Sequence, residues 1–532
     1  MNRSRLVVHL ILVTICLVVA TLIARYLLTP RGPFHWDEAA HALKGLLIAH
    51  DIRSGDWISF LYDTYRQVLW PPLHSWLTAI AFLIAGPGYA TAGAVSLFTF
   101  IATAPLLYLA GDRMAEQQVN RIGLIAAILF LTSPALVPFS VQSMLEIPGL
   151  FALVATIWVY FWLIDSRAEA KQFAWLGLAV ALTFLIRTHY GVLIFIAIFI
   201  SMLFDARFRP RTVLDRRFFF MLAPMVLIFA IWFAYPPKLT ATLGWLINYP
   251  AGVDDPYSTA GWLFYPQGWF RIAGSTVIGI FYLAFFLVAF KWRTSSVVRL
   301  LLILVTVQIV IGMFHHNKQD RYIFPILPPL FLITAFVLDK AWRLSTQSGE
   351  VIRYWLPRVG TVALLAYSTV LFVGALRPQA PQFNSELAQH IANEARRNGA
   401  TLIVGSMDLA RPNPPLLDWQ LIVEEGVMAA PQAGSAVQID EERSLLAMLE
   451  SPRIPDGIRN MLSPTLQRSE QIGVVRSIYL GLPLRASYSQ GAQQFDHFFQ
   501  RTLKEYPFDD RAGHHLPCPS TLAIRWTILH PV

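Results

Sequence analysis

The sequence predicts a polytopic α-helical membrane protein of about eleven transmembrane helices, with amphipathic juxtamembrane helices in the first outer loop and a C-terminal soluble α/β domain. Three observations carry that reading. Hydrophobic residues make up 55% of the 532 and charged residues only 14%, whereas a soluble domain carries roughly 25% charge. Apolar runs close to the ~20 residues that a span requires recur as far as Leu376. Beyond Arg377 the composition changes to mixed charge and proline punctuation, so the expected division is residues 1–376 in the bilayer and 377–532 outside it.

The first run, Leu6–Ala24, follows Arg3 and Arg5 and reads as a retained anchor, since it is long for a signal peptide. After the polar stretch Arg31–Leu77 and the short Leu73–Ala85, further spans are expected near Ala90–Ala110, Ile122–Val137, Ile147–Ile164, Phe173–Ile186, Tyr190–Phe204, Phe218–Tyr235, Phe270–Phe290, Val297–Phe314, Tyr322–Leu338 and Val359–Leu376. With the N-terminus in the cytoplasm, the loops assigned inside hold 18 Lys and Arg against 10 in the rest of residues 1–376, as the positive-inside rule requires. The net charge of +9 is therefore loop charge, and no nucleic-acid partner is expected. An odd number of spans puts the first loop and the C-terminal residues outside. Two cysteines, Cys16 and Cys518, supply neither a disulfide framework nor a CxxC metal site.

Within the C-terminal residues, NSELAQHIANEARRNG reads as an amphipathic helix and TLIVGS as a buried strand. QLIVEEG, SIYLGLPL and TLAIRWTIL read as further strands and FDHFFQRTLKEY as a helix. The loop Pro236–Gln267, on the same outer side as the first, is aromatic and polar, which suits sugar recognition and equally an interfacial belt.

The chemistry concentrates on that outer side. HWDEAAHALKGLLIAHDI predicts a helix starting near Trp36, with its acids in the first turn where the helix dipole favours them. Asp37, His41 and Lys44 fall within a narrow arc and Glu38 a quarter-turn away, the pattern of a helix lying on the membrane surface. WPPLHSWL starts a second helix with prolines in its first turn. An acidic pair can simply charge a helix N-terminus. Here, though, polar groups recur on the same side: Glu146 in SVQSMLEIPG, Arg187 and His189 in LTFLIRTHYG, and His315, His316, Lys318, Asp320, Arg321 and Tyr322 in HHNKQDRYIFPILPPL. An unpaired cation between two apolar runs would be costly, so acids and cations are expected to meet at one surface.

The order of WDE after the first span, WPPLHSWL, an acid opening a later span, LTFLIR and KQDRYIFPILPPL resembles the polytopic GT-C superfamily glycosyltransferases. The branch is that of protein O-mannosyltransferases, aminoarabinose transferases and RgtA/B/C/D-like enzymes. The resemblance covers residues 1 to about 376; Glu146 stands where Asp is common and Arg187 where Lys is common. It implies inverting transfer of a sugar from a polyprenyl-phosphate donor to an extracytoplasmic glycan, lipid or protein acceptor, in a bacterial inner membrane. Asp37 is then the general base, supported by Glu38. Arg187 and Arg321, helped by Lys318 and Tyr322, bind the donor phosphate. His41, Glu146, His189 and His315 are candidates for an acceptor site or for a divalent metal ion, with His35, Asp37 and His41, or Glu146 and a histidine of the 315–316 pair, as ligand sets. The alternative is a transporter or flippase of a lipid-linked sugar, which would place its charges deep within spans and show related halves.

Overall fold

The structure is a computed structural model that describes residues 3–377 apart from 32–33, 35–36, 66, 68–69, 116–120, 166–167, 205–214, 235, 249–256, 316–317 and 347–350; beyond them it describes 402–407, 419, 476–481, 508–517 and 523–531. The chain opens with α1 (Arg3–Ile23), continued by a π-helical turn at Ala24–Leu28, and the first loop forms α2 (Glu38–Ser54), α3 (Trp57–Tyr65) and α4 (Leu73–Ala85). There follow α5 (Tyr89–Asp112), α6 (Arg121–Leu131), α7 (Glu146–Asp165), α8 (Phe173–Ile186), α9 (Thr188–Leu203) and α10 (Arg216–Trp232). The helical series ends with α11 (Pro236–Asn248), α12 (Thr259–Ile272), α13 (Thr276–Ala289), α14 (Ser296–Phe314), α15 (Leu327–Thr346) and α16 (Val351–Ala375).

Among the described residues, six helical stretches are long and apolar enough to cross a membrane: Arg5–Leu28, Tyr89–Asp112, Glu146–Ile164, Ser296–Phe314, Asp320–Thr346 and Tyr354–Ala375. All six coincide with expected spans. The runs expected near Ile122–Val137, Phe173–Ile186 and Tyr190–Phe204 are the shorter apolar helices α6, α8 and α9, and Phe218–Tyr235 corresponds to α10. The span expected at Phe270–Phe290 differs. The chain bends there by 108° between α12 and α13, because Gly274 adopts φ 79° and Ser275 caps α13 by accepting from the Ile278 amide. A Cβ on Gly274 would lie 2.0 Å from Pro134, so only glycine fits this corner. If α12 and α13 count as one bent span, the number rises to seven.

The first loop is helical as expected, but α2 is not a surface helix. Of its polar arc His41 is 1% exposed and Asp37 and Lys44 are half-buried, and Glu38 and Asp51 are also 1% exposed, so protein covers much of the side expected to face water. It is α3 that turns apolar groups outward: Trp57, Ile58, Leu61 and Tyr62 are exposed while Asp63 and Thr64 are buried. That outward arc is the kind an interfacial helix presents to lipid. The proline pair does start α4, where the Trp76 amide donates to the Pro72 carbonyl.

The chain forms two compact units: residues 1–31, 65–77 and 92–378, and residues 32–64, 78–91 and 379–532. In the first unit, α15 is the central helix, buried continuously from Leu327 to Asp339, and α6, α13, α14 and α16 pack around it. α8 joins α7 and α9 to α10. In the second unit, the strands β1 (Leu402–Met407), β2 (Arg476–Gly481), β3 (Phe508–Pro517) and β4 (Ala523–Pro531) form one mixed sheet in the order β2-β1-β4-β3. β1 and β2 are parallel, with Val404 opposite Ile478, and β4 is antiparallel to both its neighbours. TLIVGS, SIYLGLPL and TLAIRWTIL thus fall on β1, β2 and β4. β3 was not expected, because FDDRAGHHLP lacks apolar alternation; it is an edge strand whose register shifts between Asp510 and Ala512. The QLIVEEG strand and the two C-terminal helices lie outside the described residues.

Candidate functional site: a carboxylate between two guanidiniums

The site in the first unit is built on a helix break. α8 ends and α9 begins at the same residue, Arg187, whose backbone is extended at φ −144°, ψ 105°. Its amide still donates to the Thr183 carbonyl and its own carbonyl accepts from the Tyr190 and Gly191 amides. The break therefore costs few backbone hydrogen bonds, and it projects the guanidinium sideways from an apolar hairpin. There Arg187 meets Glu146, the first residue of α7, where the helix dipole favours a carboxylate. Arg187 Nη2 donates to Glu146 Oε1 at 2.9 Å, with the two side chains 6% and 0% exposed.

A second cation addresses the same oxygen. Arg321 Nε lies 3.7 Å from Glu146 Oε1 and is 18% exposed; it also donates to Gln319 Oε1 at 2.6 Å. Both guanidinium carbons sit 5.5 Å from the centroid of the Tyr322 ring, and His189 meets that ring edge-on at 5.5 Å. His315 is among the electrostatic neighbours of His189. The structure thus brings together Glu146, Arg187, His189, Arg321 and Tyr322, which are far apart in sequence.

The 3-10 turn Asp320–Ile326 that presents Arg321 and Tyr322 is held from three sides. Arg271 forks onto Asp320, Nη2 to Oδ1 at 2.8 Å and Nε to Oδ2 at 3.1 Å. Gln308 Nε2 donates to the Tyr322 carbonyl at 2.7 Å, and the Tyr265 hydroxyl exchanges hydrogen bonds with the Gln319 backbone. Lys318 is committed locally. Its Nζ donates to the Gly312 and Met313 carbonyls at 3.1 and 2.8 Å, satisfying the open end of α14, and burial pushes its pKa down. A lone basic residue at the end of the aromatic loop, Arg271 in GWFRI, is the signal sequence reasoning passed over.

Four buried polar atoms around this cluster have no hydrogen-bond partner among the described residues: Glu146 Oε2, Arg187 Nε, His189 Nε2 and Tyr190 Oη. A buried polar group without a partner costs about 1–3 kcal/mol. Two guanidiniums and one carboxylate leave one net positive charge, which attracts an anion. Among the described residues no three His, Cys, Asp or Glu side chains converge as metal ligands. His35 and His316, two of the expected ligands, lie outside the described residues.

In the second unit, Asp37 is the N-cap of α2, half-buried at φ −76°, ψ −14°, and its carbonyl accepts the His41 amide at 3.1 Å. The buried Glu38 and His41 belong to the first turn of the same helix.

Residues 70–235 match the family model described as dolichyl-phosphate-mannose-protein mannosyltransferase. No curated protein sequence matches the chain. Among solved structures, the chain is similar to ArnT from Cupriavidus metallidurans bound to undecaprenyl phosphate, at 13% identity over 97% of each chain with a TM-score of 0.50. It is also similar to the oligosaccharyltransferase of Archaeoglobus fulgidus in the apo form, at 12% identity over 93% of this chain and 68% of that one, with a TM-score of 0.51. At such identities the likeness is one of fold. The matched segment carries Glu146 and Arg187, and the likeness in fold extends over nearly the whole chain.

Proposed function

We propose that this chain transfers a sugar from a polyprenyl-phosphate carrier to a hydroxyl acceptor outside the cytoplasm, with inversion at the anomeric carbon. The observation that supports it best is the pair Arg187 and Arg321 around Glu146, a buried cluster with one positive charge in excess. The leaving group of such a reaction is a lipid phosphate whose oxygen gains charge as the glycosidic bond breaks. Guanidiniums fixed in advance stabilise that charge, and Arg supplies two parallel donors to a phosphate. Glu146 holds both guanidiniums in place while neutralising only one. Tyr322 spaces them, and Lys318 and Gln319 support the turn that carries Arg321.

Asp37 takes the acceptor proton. The hydroxyl oxygen attacks the anomeric carbon, the bond from that carbon to the phosphate oxygen breaks with its electron pair, and the proton passes to the Asp37 carboxylate. A positioned base contributes about 10²–10⁴ to the rate. Glu38, next in the chain and 1% exposed, supports the helix end that carries Asp37. His41, His189 and His315 remain candidates for the acceptor's polar groups, and the acceptor is a cell-envelope glycan, lipid or protein.

The test incubates membranes containing the protein, or its Asp37→Asn variant, with a panel of polyprenyl-phosphate sugars and follows free lipid phosphate by mass spectrometry. One donor is expected to be consumed by the wild type and spared about 10²-fold or more by the variant. Full turnover by Asp37→Asn would remove the assignment of the base, and movement of an intact lipid-linked sugar without cleavage would replace the reaction by transport.

A further inference from the structure

One residue of the C-terminal part of the chain sits deep in the second unit. Trp419 is 0% exposed and packs against three rings: Phe34 at 4.7 Å, Phe82 at 5.8 Å and Tyr89 at 6.0 Å between centroids. Phe34 and Tyr89 are themselves in edge contact at 4.8 Å and 84°, and Phe34 and Phe82 are 0% and 1% exposed. The four rings form an aromatic box around Trp419, which touches each of the other three. Three come from the first loop, α4 and the start of α5; the fourth comes from beyond the last helix.

The box lies where it can set α2. Phe34 stands three positions before Asp37, the N-cap of that helix. One turn and more along α2, Gly45 lets the helix lie directly on α4, since a Cβ there would be 2.6 Å from Thr78 Cγ2. α2 is thus seated on α4 at its middle by Gly45 and tethered at its start through Phe34. Without Trp419 the Phe34 ring would lose one wall of its pocket, and α2 would lose that anchor near its N-cap. Displacing a reacting group by about 1 Å can cost about 10² in rate.

We propose that Trp419 is a positioning residue for the first-loop acid: the C-terminal part of the chain closes the aromatic box on Phe34 and thereby fixes Asp37. This rests on the reading of Asp37 as the base. It gives the C-terminal residues a part in turnover and predicts that altering them acts on catalysis through α2.

The full-length protein in detergent or nanodiscs carries the test, with Trp419→Ala and Trp419→Phe measured for donor consumption and for amide hydrogen exchange. Trp419→Ala is expected to lower kcat by about 10² with the donor KM within about twofold, to speed exchange in residues 38–48, and to leave exchange in residues 296–314 unchanged. Trp419→Phe, which keeps a ring against Phe34, is expected to restore most of kcat. Unchanged kcat, unchanged exchange in 38–48, or exchange that rises equally in 296–314 each overturns the proposal. Trp419→Leu supplies the same readouts if Trp419→Ala does not fold. If Asp37→Asn turns out active while the exchange pattern holds, the base assignment fails and the tether stands.

Discussion

Replacing Glu146 by Gln tests whether the carboxylate is the counter-charge that makes two buried cations tolerable. The change is nearly isosteric and keeps an oxygen for Arg187, so it removes charge and little else. At an effective dielectric of about 20, two unit charges attract by about 6 kcal/mol at 2.9 Å and about 4.5 kcal/mol at 3.7 Å. Desolvation has already consumed much of this in the native protein. What the variant loses is therefore the penalty of an uncompensated buried charge, about 3–5 kcal/mol. The larger share belongs to Arg187 at 6% exposed; Arg321 at 18% can draw on water. Chemical unfolding of the purified protein would read the loss, and Glu146→Gln with Arg187→Met would complete a cycle in which the double variant recovers most of the stability. Donor turnover should stay low in both, because one variant loses the charge that fixes the two guanidiniums and the other lacks Arg187. A Glu146→Gln protein within about 1 kcal/mol of wild type would refute the reasoning, since the pair would then be solvated in the manner of a surface ion pair.

Gly149→Ala tests the packing behind the site: its Cβ would meet the Tyr190 ring at 2.8 Å and Arg187 Cβ at 3.1 Å. Overpacking costs about 1–3 kcal/mol against about 1 kcal/mol of helix propensity gained, so stability should fall by at most about 2 kcal/mol while donor turnover falls further; unchanged turnover would place Arg187 outside the reaction. Arg271→Lys exchanges a fork for a point charge on Asp320. As the pair is nearly half exposed, stability should move by less than about 1 kcal/mol while the donor KM rises, and an unchanged KM would mean that the turn holding Arg321 needs no such brace. Lys238, 1% exposed, lies against the Trp232 and Tyr65 rings, and burial lowers its pKa to about 7. An unfolded chain keeps it protonated to about pH 10.4 and so binds more protons than the folded one between those values. This group's contribution to stability should therefore rise with pH from about 7 upward. Relative to Lys238→Met, the wild type should gain unfolding midpoint between pH 6 and pH 9, and parallel curves would contradict the burial.

How far the sequence could be read depended on whether a signal was carried by composition or by contact. Spans such as Glu146–Ile164 and Asp320–Thr346 announce themselves because lipid imposes length and apolarity on each one separately. The bend at Gly274 is hidden for the same reason: FRIAGSTVIGIF is apolar enough to read as one run, and the demand for glycine at the corner comes from Pro134, elsewhere in the chain, which occupies the space of a side chain. The arc of α2 shows the limit most clearly. Periodicity puts Asp37, His41 and Lys44 on one side of a helix, and from periodicity alone a polar side faces water; yet His41 is buried, Asp37 and Lys44 are half-buried, and it is α3 that turns its apolar side out. Polarity says that a side chain needs polar company and leaves open whether water or protein provides it. That ambiguity is also what made the site legible at all. Arg187 between two apolar runs could not stand alone at low dielectric, so the sequence demanded an acid for it, and the acid is Glu146. Which second cation would share that acid was not written in either segment, because the 3.7 Å approach of Arg321 is set by the turn that Arg271, Gln308 and Tyr265 hold in place.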